Sequence, residues 1–159
     1  MLTATVLSAS GKGDEAHTLL SEFLRATEKR HTKVHAKLYQ RLGEISLAED
    51  DWVGALPAFT HGHHLDKGDP EIAFTLGLLA ADLDEAETAL GALRVFVTLK
   101  DKATDMPSRR QLSRACLQIA ELELSKNQKT VARRMATRAA EVDPQNKDAQ
   151  RFLSDLGPR

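Results

Sequence analysis

Residues 36–77, AKLYQRLGEISLAEDDWVGALPAFTHGHHLDKGDPEIAFTLG, carry the pattern on which the rest of the chain is built. They read as helix, tight turn, helix, tight turn and the opening of the same unit again. Gly43 in RLGEI and Gly77 in TLGLL sit within similar apolar spacing. The interval between them, about 34 residues, is the length of one helical hairpin in a solenoid. In such an array no hairpin buries its apolar face alone, and stacking supplies the core.

The flanking sequence extends the same grammar. Residues 2–10 allow at most two turns of helix, Gly11 and Gly13 make a turn, and Asp14 stands as the cap of the next helix. Ala16, Leu19, Leu20, Phe23 and Leu24 form its apolar stripe. After EKRHTK, a helix over 32–48 turns Val34, Leu38, Leu42 and Ile45 inward. Asp51 caps a helix over 52–65, in which Pro57 removes one backbone bond and should bend the axis. Asp69-Pro70-Glu71 starts a helix that runs to residue 83, with Asp at the cap and Pro in the first turn, and another follows over 84–99.

KDKATDMPS interrupts the period and predicts an insertion loop over 100–108. Ser108 to Gln111 fits a capping box for a helix to residue 125, and a further helix covers 129–142. Asp143-Pro144 repeats the cap device before a last helix with Phe152, Leu153 and Leu156 on one face, closed by Gly157-Pro158. Nine helices with short links leave no room for a sheet.

Composition sets wide bounds. At 159 residues the chain can bury a core, and its 4% aromatic content suits helices packed through small residues. Its net charge of −1 gives no argument for nucleic acid or an anionic membrane. The distribution is uneven: residues 1–43 carry +3, residues 44–105 carry −9 and residues 106–159 carry +5. Such a layout steers a charged partner, stacks copies head to tail, or simply solvates outer helix faces. The one cysteine, Cys116, rules out an internal disulfide framework and fits a buried thiol in a reducing compartment. No apolar run is long enough to span a membrane, and MLTATVLSAS lacks the form of a signal peptide, so a cytoplasmic location is expected.

Reactive chemistry finds little support. His61, His63 and His64, and His31 with His35, invite a metal, but metal sites need convergent ligands, so none is assigned. GKGDE lacks the spacing of a phosphate loop. Asp50-Asp51 and Asp82, Asp84 and Glu85 fall where helix N-termini favour acids. No nucleophile–base constellation is visible, so the chain reads as a non-enzyme with no cofactor. Lys126, Lys129, Arg133, Arg134 and Arg138 make one helix basic, but without interleaved exposed aromatics they argue weakly for nucleic acid.

The repeat resembles the tetratricopeptide repeat. From Ala36 the chain supplies Tyr39, Leu42, Gly43, Ala55, Phe59 and Gly62; from Pro70, Leu76, Gly77, Ala89 and Leu93. From Ser113 it supplies Cys116, Ile119, Ala120, Ala132, Ala136, Ala139 and Pro144. The family pattern departs at Lys67, where Pro is usual, and at Phe96, where a small residue is usual. The resemblance implies an all-α, right-handed superhelical solenoid as a single domain. Its units are 1–31, 36–69, 70–101 and 113–145, with a capping helix over 145–156.

It also implies a groove lined by the first helix of each hairpin. The matching positions are Lys37, Gln40, Glu44, Leu47 and Ala48, then Glu71, Phe74, Leu78, Ala81 and Asp82, then Arg114, Leu117, Glu121, Leu124 and Ser125. Phe74 and Leu78 lie opposite Leu76 and Leu79, so their helix is apolar nearly all round and is either buried on both sides or covers something. Glu44, Leu78 and Glu121 stand where the tail-binding members carry clamp residues, which argues against a carboxylate-tail ligand. The implied function is a scaffold or adaptor that binds a partner helix or peptide. Self-assembly as a homo-oligomer and a secretion-type chaperone shielding an apolar client stand as alternatives.

Overall fold

The computed structural model describes residues 13–26 and 33–157. They form α1 (Gly13–Ala26), α2 (Lys33–Ala48), α3 (Trp52–Leu65), α4 (Pro70–Asp82), α5 (Ala86–Leu99), α6 (Met106–Ser125), α7 (Lys129–Val142) and α8 (Lys147–Asp155). No strand occurs among the described residues, and the fold is all-α. The helix expected over 2–10 and the Pro158 terminator lie outside the described residues. The chain divides into two compact units, Met1–Ile72 and Ala73–Arg159, the division falling in the first turn of α4.

Three hairpins share one internal ruler. Gly43 on α2 faces Phe59 on α3, Gly77 on α4 faces Leu93 on α5, and Ala120 on α6 clusters with Ala136 on α7. The sequence interval within each pair is the same. Inside each interval, again at a constant offset, stands a fully buried alanine: Ala55, Ala89 and Ala132. The small residues let the two helices of a hairpin approach, and the larger partner fills the space beside them.

The hairpin tips repeat as well. Asp50, Asp84 and Asn127 have φ of 59°, 60° and 58°, a left-handed conformation that Asp and Asn tolerate better than bulkier residues. The following N–H reaches back to the preceding helix at the same offset in every case: Asp51 to the Ser46 carbonyl (2.9 Å), Glu85 to Ala80 (2.8 Å) and Gln128 to Glu123 (2.8 Å). These bonds satisfy carbonyls that the helix end leaves unpaired.

In the first unit, Ala16, Leu20 and Leu24 of α1 pack with Leu38 and Ile45 of α2, and Tyr39 and Leu42 lie against them. The stripe is narrower than expected. Leu19 and Phe23 are about half-exposed, because the contact centres on the Ala16, Leu20, Leu24 row and leaves its flank outside; Val34, expected inward, is exposed in the first turn of α2. Asp51 caps α3 by accepting from Gly54 N (2.9 Å), and α3 continues as helix through Pro57. Asp69 Oδ1 caps α4, accepting from Glu71 N (2.9 Å) and Ile72 N (3.2 Å).

The core of the second unit joins Leu90, Leu93 and Phe96 of α5, Leu112, Cys116 and Ile119 of α6, Ala139 of α7 and Ala149 of α8. Phe152 and Leu153 of α8 cover Ala120, Ala132 and Ala136. Two helix starts in this unit differ from expectation, as does that of α1, where Asp14 lies inside the first turn rather than at the cap. Asp105, not Ser108, caps α6, its Oδ1 accepting from Ser108 N (2.8 Å) with Pro107 in the first turn. A charged acceptor outcompetes a hydroxyl at the positive end of a helix. Asn146, not Asp143, caps α8 by accepting from Ala149 N (3.0 Å); Asp143 closes α7 and holds Gln145 N (3.1 Å) around Pro144.

The stretch expected as a loop over 100–108 is non-helical through residue 105 and helical from Met106, and the extra length relative to the preceding hairpin falls mainly inside α6. Ala120 lies about four turns from the start of α6, whereas Gly77 lies about two turns from the start of α4. The link before α6 is only slightly longer than that before α4. Two added turns at the start of α6 therefore absorb most of the insertion, and Arg109 in them donates through Nε to the Val142 carbonyl (2.9 Å).

Candidate functional site

The positions expected to line a groove form a polar chain in the first unit. Lys37, Gln40, Glu44 and Leu47 recur at three- and four-residue intervals along α2. Lys37 Nζ pairs with Asp69 at 2.6 Å and lies 3.7 Å from Glu71. It also donates to Gln40 Oε1 (3.0 Å), Gln40 Nε2 donates to Glu44 Oε1 (3.0 Å), and Arg41 holds the other Glu44 oxygen (2.6 Å). The Asp69 hydrogen bond raises the Lys37 pKa against a smaller opposing effect of burial. Burial pushes the Asp69 carboxyl up, but the Lys37 bond and the N–H of Ile72 outweigh it and bring it below its usual range. Leu47 is half-buried and Glu71 exposed.

In the second unit the positions expected to line a groove are apolar with a charged margin. Phe74, Leu78 and Leu117 are half-buried against one core cluster, and Leu124 lies against the neighbouring one. The Phe74 ring stands 4.8 Å from that of Phe96, tilted by 41°, a favourable aromatic arrangement. The α4 helix is thus buried through Ala73, Leu76, Leu79 and Ala80 and partly covered through Phe74 and Leu78. Phe74 is therefore partly a core residue, which its spacing alone did not decide. Asp82, Arg114 and Glu121 are exposed. Partial desolvation pushes the Glu121 carboxyl up, and the negative charge of Asp148 adds to it.

One feature the sequence did not announce is the Arg94–Glu123 pair. Glu123 of α6 is 4% exposed, and Arg94 reaches it from α5. The equivalent positions, three residues after Gly43 and Gly77, hold Ser46 and Ala80, both buried. A Glu at a position otherwise small was the available signal. A second buried polar group is Ser113, whose Oγ donates to the Ala139 carbonyl (2.8 Å) and accepts from Asn146 Nδ2 (2.8 Å), tying α6 and α7 to the turn before α8.

The described histidines do not converge. His61 stacks on Tyr39 with ring centroids 5.2 Å apart, and His35 is buried. Burial lowers the His63 pKa, aided by His64 and Lys67. Among the described residues no three His, Cys, Asp or Glu side chains are grouped to hold a metal ion, and His31 lies outside them. Cys116 is fully buried, and burial lifts its pKa to about 11. No helix among the described residues is long and apolar enough to cross a membrane.

The all-α hairpins, the small-residue ruler and the left-handed tips together define a tetratricopeptide-repeat fold, and solved structures agree. The structure of MamA matches with a TM-score of 0.74 at 16% identity, over 96% of this chain and 81% of that one. YrrB, described as a TPR protein with an unusual peptide-binding site, matches with a TM-score of 0.69 at 18% identity, over 95% of this chain and 71% of that one. The first TPR of Spaghetti (RPAP3), bound to the HSP90 peptide SRMEEVD, matches with a TM-score of 0.64 at 16% identity, over 79% of this chain and 94% of that one. No protein-family model matches the chain. No curated protein matches its sequence.

Proposed function

We propose that this protein is an interaction scaffold that acts by binding a segment of a partner protein. The segment, an amphipathic helix or an extended strand, lies on the first-helix positions of the second unit. The observation that carries this reading is that Phe74, Leu78, Leu117 and Leu124 remain only half-covered by the chain's own packing. Apolar anchors flanked by charge suit a docked segment. Asp82, Arg114 and Glu121 supply the charge, and the Glu121–Asp148 pair favours a basic residue on the partner. Peptide binding by YrrB and by the RPAP3 repeat domain makes the mode a natural one for this fold. The lone buried thiol suits a cytoplasmic setting.

The test is a pull-down from native lysate with wild type beside the double variant Arg114→Glu, Glu121→Arg, followed by mass spectrometry. Both residues are exposed, so the fold survives the change. A partner held by wild type and lost by the variant supports the reading. Equal recovery by both sinks it, and a light-scattering mass that rises with concentration, without any partner, replaces it with self-assembly.

A further inference from the structure

The face of α7 opposite its buried Ala132, Ala136 and Ala139 borders an open concavity of about 1160 Å³. Lys129, Arg133, Arg134 and Arg138 line it. Two of these cations are anchored. Arg133 Nη2 donates to the carbonyls of Leu156 (3.2 Å) and Gly157 (2.8 Å), and Arg138 pairs with Asp101. A guanidinium carries five N–H donors, so these bonds fix both groups in place and leave donors spare. Lys129 and Arg134 are exposed, and no ion pair among the described residues takes up their charge.

We propose that this concavity docks an acidic segment of a partner protein, a second surface distinct from the α4 and α6 positions. Its carboxylates are taken by Arg134, Lys129 and the spare donors of the two anchored arginines, with Val142 and Leu156 as apolar contacts between them. Charge complementarity alone also fits a phosphate backbone, but two features select a peptide. Asp101 and Glu141 line the same concavity, so an evenly charged strand meets repulsion that spaced carboxylates avoid. No aromatic side chain is among its lining residues, so bases find nothing to stack on.

The test is fluorescence anisotropy with a labelled peptide in which glutamates are separated by Gly-Ser spacers, beside an oligothymidylate of equal length, at low and physiological salt. The peptide binds wild type and weakens with salt, as exposed charge pairs are screened. The double variant Lys129→Glu, Arg134→Glu loses about tenfold or more in affinity, the scale of a lost charge-assisted contact. Both positions are exposed, and Lys129 opens α7, where an acid is favoured, so circular dichroism stays unchanged. The Arg114→Glu, Glu121→Arg variant binds the peptide as wild type does. No peptide binding at low salt, undiminished binding by the Lys129/Arg134 variant, or tighter binding of the oligonucleotide overturns the proposal.

Discussion

Gly77 lies so close to Leu93 that a Cβ on the glycine would stand 2.5 Å from the leucine Cγ, and the α4–α5 contact rests on that missing methyl group. Gly91, on the exposed side of α5, has nothing within 4 Å of the same added atom. Gly77→Ala should therefore destabilise by about 1–2 kcal/mol, overpacking outweighing the helix preference of alanine. Gly91→Ala should stabilise by up to about 1 kcal/mol, since only the preference changes. Urea unfolding of both variants checks the opposite signs; the same sign in both means the hairpin relaxes freely around the added methyl.

The Arg94–Glu123 pair predicts an asymmetry. Glu123 is buried while the Arg94 side chain is 60% exposed. Arg94→Ala leaves a buried carboxylate without its cation and should cost about 2 kcal/mol, below the value for a fully buried pair because solvent screens one end. Glu123→Ala leaves a solvated arginine and places alanine where Ala80 stands in the preceding hairpin, so it should cost clearly less. Equal losses in denaturant titration would show that packing, not charge, governs the site.

Cys116 sets a stability limit on the alkaline side. Its folded pKa of about 11 exceeds the unfolded 9.0, so its contribution is complete below about pH 9 and is lost as pH rises toward 11. The stability difference between wild type and Cys116→Ala should shrink by on the order of 2 kcal/mol over that interval. At neutral pH the thiol should react with an aromatic disulfide reagent only after unfolding. Prompt reaction with the folded chain contradicts its burial.

The hairpin tips offer a stabilising change. Asp84 holds φ at 60°, where glycine carries no Cβ penalty. Asp84→Gly should add about 0.5–1 kcal/mol, Asn127→Gly less because Asn already tolerates the conformation, and Asp84→Val should subtract more than about 1 kcal/mol. Thermal melts of the three variants give the order.

The features that lay open in the sequence are those set by local chemistry. The Gly43–Gly77 spacing, the Asp51 and Asp69 caps and the alanine positions depend on neighbours within a turn or on a simple repeat. Where two capping residues stand three apart, as with Asp105 and Ser108 or Asp143 and Asn146, pattern alone favoured the wrong one. Glu123 stood out only as a Glu at a position otherwise small, and its pairing was silent because Arg94 is distant in sequence and on another helix. The pattern names the first-helix positions around Phe74, but it did not give the depth of Phe74. Its half-burial depends on Phe96, a bulky residue where the repeat usually carries a small one. Replacing Phe74 with a charged residue therefore tests the core as much as any docking surface.

The two additional turns at the start of α6 leave the constant spacings inside every hairpin untouched. They project the helix about 10 Å further than its counterpart α4. The array is thus punctuated rather than strictly periodic, a set of cassettes of unequal length. Copying the α6–α7 cassette with its overhang would shift the phase of everything downstream by the length of the insertion, without altering a contact inside any hairpin. Recombination of these repeats is constrained by where the cuts fall, and cuts at the Asp50, Asp84 and Asn127 tips would split the cassettes that cuts between hairpins preserve.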